Sequence, residues 1–227
     1  MDHSAIASRM KKYEAVSSAV LPRRIPVIIR IDGRAFHTFT QRMFGRKWSE
    51  VFVDTMVSTA IALYHEIQGC EFVYSQSDEI SFLLTDYRKI TTEGWFGYEI
   101  NKIVSISAAR ASVVFSSICH ENVCFDSRAF SMPQDEVCNY FLWRQQDATR
   151  NAIQSAGQEN FSHKQLHKKN CKQIQEMLFS QKGINFNDYP VHRKRGWCVI
   201  NGEKDFNIPI FSKDRQYVEQ HVFIRED

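Results

Sequence analysis

A chain of 227 residues, 43% hydrophobic, can bury a full core as one large domain or as one domain with a helical appendage. A net charge of +3 says little about nucleic acid, so the distribution of charge must answer that question. No apolar run approaches the roughly 18 residues of a membrane span. The opening Met1-Asp2-His3-Ser4 lacks the basic-then-apolar order of a secretory signal, and the 6 cysteines show no C-x-x-C spacing. These features predict a cytoplasmic protein with no membrane partner, carrying reduced core thiols rather than disulfides or a zinc site.

Residues 26–31 form a short β-branched run bounded by Pro22 and Pro26, which predicts a strand. Val51, Phe52, Met56, Ala60, Leu63 and Tyr64 recur at helical spacing and predict a helix over 48–67, closed by Gly69. Residues 71–75 and 79–84 predict a hairpin in which Ile80, Phe82 and Leu84 alternate against Ser81 and Leu83. A second amphipathic helix over 98–118 runs through Ile103, Ile106, Ala109, Val113 and Phe115, and 123–130 reads as a fourth strand. The order is β-α-β-β-α-β, the ferredoxin-like split βαβ unit. Its crossover makes the first and second strands parallel, with the third inserted antiparallel between them. Further on, Pro133 and the acidic first turn of Asp135 and Glu136 open a helix that is predicted to end at Gly157. Another helix spans 163–179, and Trp197–Ile200 is a strand in a loop-rich remainder. The predicted fold class is α+β, with the βαββαβ unit in residues 1–132 and a helical and loop-rich extension packed on it in 133–227.

Asp32 ends the first strand and is followed by Gly33, which lets the backbone approach a ligand closely. Asp78 and Glu79 sit where the hairpin reverses. In this topology the end of the first strand lies at the same sheet edge as that turn, so the three acids converge. Mg²⁺ takes oxygen ligands and usually only one or two carboxylates, so the acids predict a site for hard divalent cations and the phosphates they bind. An ordinary Asp-Gly turn and an ordinary hairpin turn are the alternative. Two stretches, His163, Lys164, His167, Lys168, Lys169, Lys172 and His192, Arg193, Lys194, Arg195, predict a basic surface on the C-terminal third. A solvated helix face is the alternative there, and His163 and His167 read as exposed rather than metal-binding.

Long motifs carry a resemblance: Arg9-Met10-Lys11-Lys12-Tyr13-Glu14, Arg30-Ile31-Asp32-Gly33-Arg34 with Phe36, His37 and Phe39, and Ser75-Gln76-Ser77-Asp78-Glu79-Ile80-Ser81-Phe82. It continues in Phe125-Asp126-Ser127-Arg128, Tyr140-Phe141-Leu142-Trp143-Arg144-Gln145-Gln146-Asp147 and Gly183-Ile184-Asn185-Phe186-Asn187-Asp188-Tyr189-Pro190. In this order they resemble the tRNA-His guanylyltransferase family, whose members extend tRNA at its 5′ end. One segment departs: Thr149-Arg150-Asn151-Ala152-Ile153-Gln154 stands where the eukaryotic enzymes carry His-Ile-Asn-Asn-Leu-Tyr. That is similar to the guanylyltransferase-like branch, associated with template-dependent repair of 5′-truncated tRNA.

The resemblance implies a polymerase- and cyclase-like palm, a tetramer, and ATP-dependent activation of a tRNA 5′-phosphate followed by nucleotide addition from GTP or other nucleoside triphosphates. It implies two Mg²⁺ ions about 3.5–4 Å apart, held by Asp32, Asp78 and the Gly33 carbonyl, with Glu79 as a further catalytic acid. Nucleotide contacts are expected from Arg30, Gly33, Arg34, Ala35, Phe36, His37, Ser77, Asp78 and Lys102. From the residues alone, Phe36, His37 and Phe39 read as core and loop anchors. For the tRNA and its 5′ end the expected contacts are Arg46, Lys47, Arg144, Arg150, Asn151, Lys168, Lys169, Arg193 and Arg195. Trp143, Arg144 and Asp147 read equally well as helix packing. A nucleotide cyclase on the same palm and a non-catalytic RNA-binding module are the competing classes.

Overall fold

In the computed structural model, which describes residues 4–45 and 48–223, the chain folds as α+β around one sheet. Its strands are β1 (Val27–Gly33), β2 (Cys70–Gln76), β3 (Glu79–Leu84), β4 (Phe125–Ser131), β5 (Trp197–Ile200) and β6 (Glu203–Asp205), in the order β4-β1-β3-β2-β5-β6. β3 pairs antiparallel with both β1 and β2, so β1 and β2 run parallel with β3 between them, as the sequence predicts. β5 then pairs with β2, so the region after residue 132 completes the sheet.

The helices are α1 (Ala5–Glu14), α2 (Phe36–Phe44), α3 (Glu50–Glu66), α4 (Ile100–Cys119), α5 (Gln134–Asn160), α6 (His163–Leu166), α7 (Cys171–Lys182), α8 (Val191–Arg195) and α9 (Gln216–Glu219). On one sheet face Ile29, Ile31 and Phe82 pack with Met56 of α3 and Ile103 and Phe115 of α4. On the other, Ile28, Phe72 and Leu83 pack with Val137 and Phe141 of α5. Every residue of β3 is buried, so its alternation separates two cores rather than core from solvent. A third core joins the C-terminal half of α5 to α6 and α7 through Ile153, Phe161, Ile174 and Leu178.

Several sequence expectations are corrected. α5 does not stop at Gly157: a Cβ there would stand 2.8 Å from Ile174 Cγ2, so this glycine serves close packing of α7 rather than a helix end. The helix expected over 163–179 is two helices. The break is at Asn170, whose side chain accepts from the Gln173 N–H while Gln173 accepts from the Asn170 N–H, each at 3.0 Å. α1 and α2 had no counterpart among the predicted elements; α1 buries none of its residues and so leaves no core-facing signal. α4 is long and apolar enough, by length and composition, to cross a membrane, which the expectation about apolar runs missed. It packs on the sheet through Ile103, Ala111 and Phe115. Cys138 and Cys198 are buried thiols as expected, whereas Cys124 is exposed.

Candidate active site

β1 delivers Asp32 and Gly33 to the sheet edge where β2 turns into β3. The Gly33 N–H donates to the Asp78 carbonyl at 3.2 Å, which ties the end of β1 to that turn. Ser77 holds the turn with φ +51°, and its Oγ donates to Asp78 Oδ1 at 2.9 Å. After Gly33 the chain passes through Ala35 at φ +60°, a left-handed position that starts α2. The first turn of a helix leaves N–H groups without intrahelical partners, so the start of α2 offers donors to an anion beside the acids. Gly33 is required here, since a Cβ would stand 2.3 Å from the Phe36 ring.

Among the described residues, neither Asp32 nor Asp78 has a cation within ion-pair distance. Burial, and then the neighbouring Asp126, raise the Asp32 pKa. Burial, and then Asp32, push Asp78 up to about 6. Asp126 lies opposite Asp32 in the β1–β4 register; its motif was visible in the sequence, its proximity was not. Among the described residues no group of three or more His, Cys, Asp or Glu side chains clusters as a metal cage. The donor set, two partly buried carboxylates repelling each other beside the Gly33 backbone, nonetheless fits Mg²⁺, which uses few carboxylates and keeps several waters.

Glu79 differs from its neighbour. Arg144 of α5 donates from Nε to Glu79 Oε1 and from Nη2 to Oε2, each at 2.7 Å, with side chains only 7% and 10% exposed. Burial works against the Arg144 cation, but Glu79, Asp147 and Tyr140 together outweigh it and the Arg144 pKa is raised. Each Glu79 oxygen thus accepts from Arg144, so this expected acid stands as an ion-paired carboxylate rather than a free one. Arg144, expected on the tRNA surface, is buried, and its guanidinium also reaches Asp147 at 2.9 Å. Arg150 pairs with the other Asp147 oxygen, and Asn151 lies beside it.

The acids open onto a cavity of about 890 Å³. Asp32, His37, Ser77, Asp78 and Glu79 line its sheet end; Arg144, Asp147 and Asn151 line its α5 wall; His163, His167, Lys168 and Lys169 line its far end. Asp147, weighed in the sequence as helix packing or RNA contact, lines the cavity, whereas sequence reasoning missed Trp48, His163 and His167 as lining residues. A spacing of four between the histidines marked a shared helix face, but nothing local showed which way that face looks.

The remaining expected residues divide. Arg30 stands 6.0 Å from the Trp143 ring on the face carrying Asp32. Arg34 is exposed beside the Gly33 turn, where its N–H donates to the Cys124 carbonyl at 2.9 Å. The Phe36 ring is buried against Phe39, Phe115 and Phe125, so only its backbone can meet a nucleotide. Lys102 lies outside the cavity lining, on the first turn of α4, paired with Glu99 at 3.0 Å. Arg193 bonds Glu159 at 2.7 Å and stacks on Tyr189 at 3.9 Å, so its charge is spent within the fold. Arg195 is absent from the cavity wall and receives the Tyr74 hydroxyl on its carbonyl. Arg46 and Lys47 lie outside the described residues.

The family model described as "tRNAHis guanylyltransferase" matches residues 7–133, more than half of the chain. The chain belongs to the tRNA-His guanylyltransferase family. A tRNA(His) guanylyltransferase of Schizosaccharomyces pombe is 30% identical over 82% of this chain and 77% of its own length. Among solved structures of the guanylyltransferase kind, a bacterial tRNA(His) guanylyltransferase-like protein in complex with ATP superposes with TM-score 0.94 at 45% identity, covering 96% of this chain and 100% of that one. One in complex with GTP gives 0.87 at 42% identity, covering 97% and 100%. The family match spans Asp32, Asp78 and Glu79 but ends where α5 begins, so the Arg144 wall and the far end of the cavity lie beyond it.

Proposed function

We propose that this family member is a 3′-to-5′ nucleotidyltransferase that activates a tRNA 5′-phosphate with ATP and then adds nucleotides to that end. The observation that carries this is the meeting of Asp32 and Asp78 at one sheet edge, on the wall of the large cavity. The ATP- and GTP-bound relatives support nucleoside triphosphates as the substrates.

In the first step an oxygen of the RNA 5′-phosphate attacks the α-phosphorus of ATP, and pyrophosphate leaves. In the second the 3′-hydroxyl of the incoming nucleotide attacks the activated 5′-phosphorus, and AMP leaves. Both are phosphoryl transfers, in which a protein mainly positions groups and neutralises charge. Asp32, Asp78 and the Gly33 carbonyl would hold Mg²⁺, which when bound offsets the charge gathering on the phosphate oxygens. The start of α2 supplies N–H donors to the polyphosphate, and the Arg144–Glu79 pair fixes the first residue of β3, next to the turn that carries Asp78.

The finer reading is template-dependent repair of 5′-truncated tRNA. It is supported by Thr149 to Gln154 standing in place of the dedicated guanylyltransferase motif. The test offers purified protein ATP, all four nucleoside triphosphates and a tRNA lacking its first 5′ nucleotide. Changing the opposing base should change the nucleotide incorporated. Addition of guanylate alone, to full-length tRNA-His and regardless of that base, replaces repair with dedicated guanylylation.

A homotetramer is the accompanying proposal. α1 buries nothing and exposes Ile6, Met10 and Tyr13 at helical spacing, while α4 exposes Ile106 and Val113. Apolar stripes of this kind on two helices suit association between copies.

A further inference from the structure

The cavity is too long for one nucleotide. α5 lines it from Arg144 to Glu159, a rise of about 22 Å at 1.5 Å per residue. A strand stacked at about 3.4 Å per nucleotide would need about six nucleotides to run that distance. The volume of about 890 Å³ is likewise near the top of the range for pockets that hold one small molecule.

The charges along this wall are sorted. Near the acids the cations are already neutralised, Arg144 and Arg150 by Glu79 and Asp147. At the far end, Lys168 and Lys169 are exposed and carry no ion pair among the described residues. Lys168 holds φ +61°, a left-handed conformation uncommon for a lysine. Phe44, Trp48 and Leu166, each half-buried, add apolar surface to the same cavity. Apolar and aromatic surface beside unpaired cations is how proteins hold unpaired nucleic acid strands: bases stack, and phosphates meet the charges. A duplex would instead present two backbones and no base faces.

Resting on the tRNA 5′-end reading above, we infer that the far arm of this cavity is a binding site for the unpaired 3′ strand of the acceptor stem. When the 5′ end sits at Asp32 and Asp78, the opposite strand must leave the active site nearby. In a 5′-truncated acceptor that strand is unpaired over the missing nucleotides as well as over its own 3′ end. The arm keeps it extended, its first unpaired base facing the incoming nucleotide and its phosphates running toward Lys168 and Lys169.

The test measures binding of the full chain to two RNAs: a 5′-truncated tRNA, and the same molecule with its unpaired 3′ nucleotides removed. Wild type is compared with the Lys168→Ala/Lys169→Ala variant, whose changes are on exposed side chains. Each single-strand phosphate contact contributes about 0.7 to the slope of log affinity against log salt. The double substitution should lower that slope by about 1.4 on the RNA with its 3′ strand, and leave it unchanged on the trimmed RNA. From 50 to 200 mM salt, wild type then loses about sevenfold more affinity than the variant for the untrimmed RNA. An equal fall on both RNAs would assign the lysines to the duplex backbone and overturn the inference, as would no fall on either. Nucleotide addition by wild type is scored separately. Coupling without addition defeats the activity reading and leaves the strand site standing, and addition without coupling does the reverse.

Discussion

The two ends of the cleft leave opposite charges unmet. Among the described residues, Asp32 and Asp78 stand at the sheet edge as partly buried acids without a paired cation, while on the α6–α7 side Lys168 and Lys169 stand as exposed cations without an anion. Between them Glu79, Arg144, Asp147 and Arg150 cancel one another. The middle of the cleft is thus internally neutralised, whereas the ends carry charges of opposite sign, which the proposals above assign to cations at one and a polyanion at the other. Even adjacent residues fall on different sides of this division, since Asp78 is unpaired and Glu79 is clamped.

The comparison breaks most visibly if the acids are dispensable. Asp32→Asn and Asp78→Asn should each lower nucleotide addition by about a thousandfold or more, consistent with removing a metal ligand from a phosphoryl-transfer site. Single-turnover rates for activation and for addition should fall together, because the proposed mechanism uses the same acids in both steps. Addition at the wild-type rate by Asp78→Asn would remove the site assignment.

The clamp predicts a fold defect instead. Glu79→Ala leaves the buried Arg144 cation with Asp147 alone, a carboxylate it already shares with Arg150, which costs up to about 3–5 kcal/mol and should lower Tm by up to roughly 6–20 °C for a chain of this size. A loss below about 1 kcal/mol, the size of an exposed pair, would mean that the pair is not buried in solution.

The unpaired acid predicts the reverse sign. The folded Asp78 pKa, about 6, lies above its ordinary 3.8, so the folded state holds the proton more tightly. Its contribution is fully present below pH 4 and is lost as pH rises through about 6. Without metal, Asp78→Asn should therefore stabilise the protein at pH 8 by about 1–3 kcal/mol and leave it unchanged at pH 4. Thermal melts at the two pH values check this, and no gain at pH 8 would show that the carboxylate is already compensated.

The smallest effect sharpens the far end. Asn170→Ala removes the α7 cap and should cost about 1 kcal/mol, a Tm shift of about 2–4 °C, with activity on a nucleotide substrate unchanged. A shift near zero would mean that the break between α6 and α7 is held by packing alone.

Much of this was legible in the chain. Strand and helix periods are local, so the βαββαβ order can be read from 26–130, and the crossover rule then places Asp32 beside Asp78. The long motifs identified the family. The strand Trp197–Ile200 was also legible, but not its pairing with β2, since such a pairing leaves no mark in local pattern.

What tertiary structure alone decided was which charges are free. Arg144 lies in a motif that reads equally well as helix packing or as an RNA contact, and only its bonds to Glu79, 65 residues away in the chain, settle it as packing. Arg193 sits in a basic run that looked uniformly exposed, yet Glu159 and Tyr189 take its charge and its face. Lys168 and Lys169, in an equally basic run, keep theirs. Local sequence fixes the period and the turns because those depend on neighbouring backbone. Ion pairing depends on where distant side chains come to rest, so the same residue types become struts or ligand contacts only once the fold is complete.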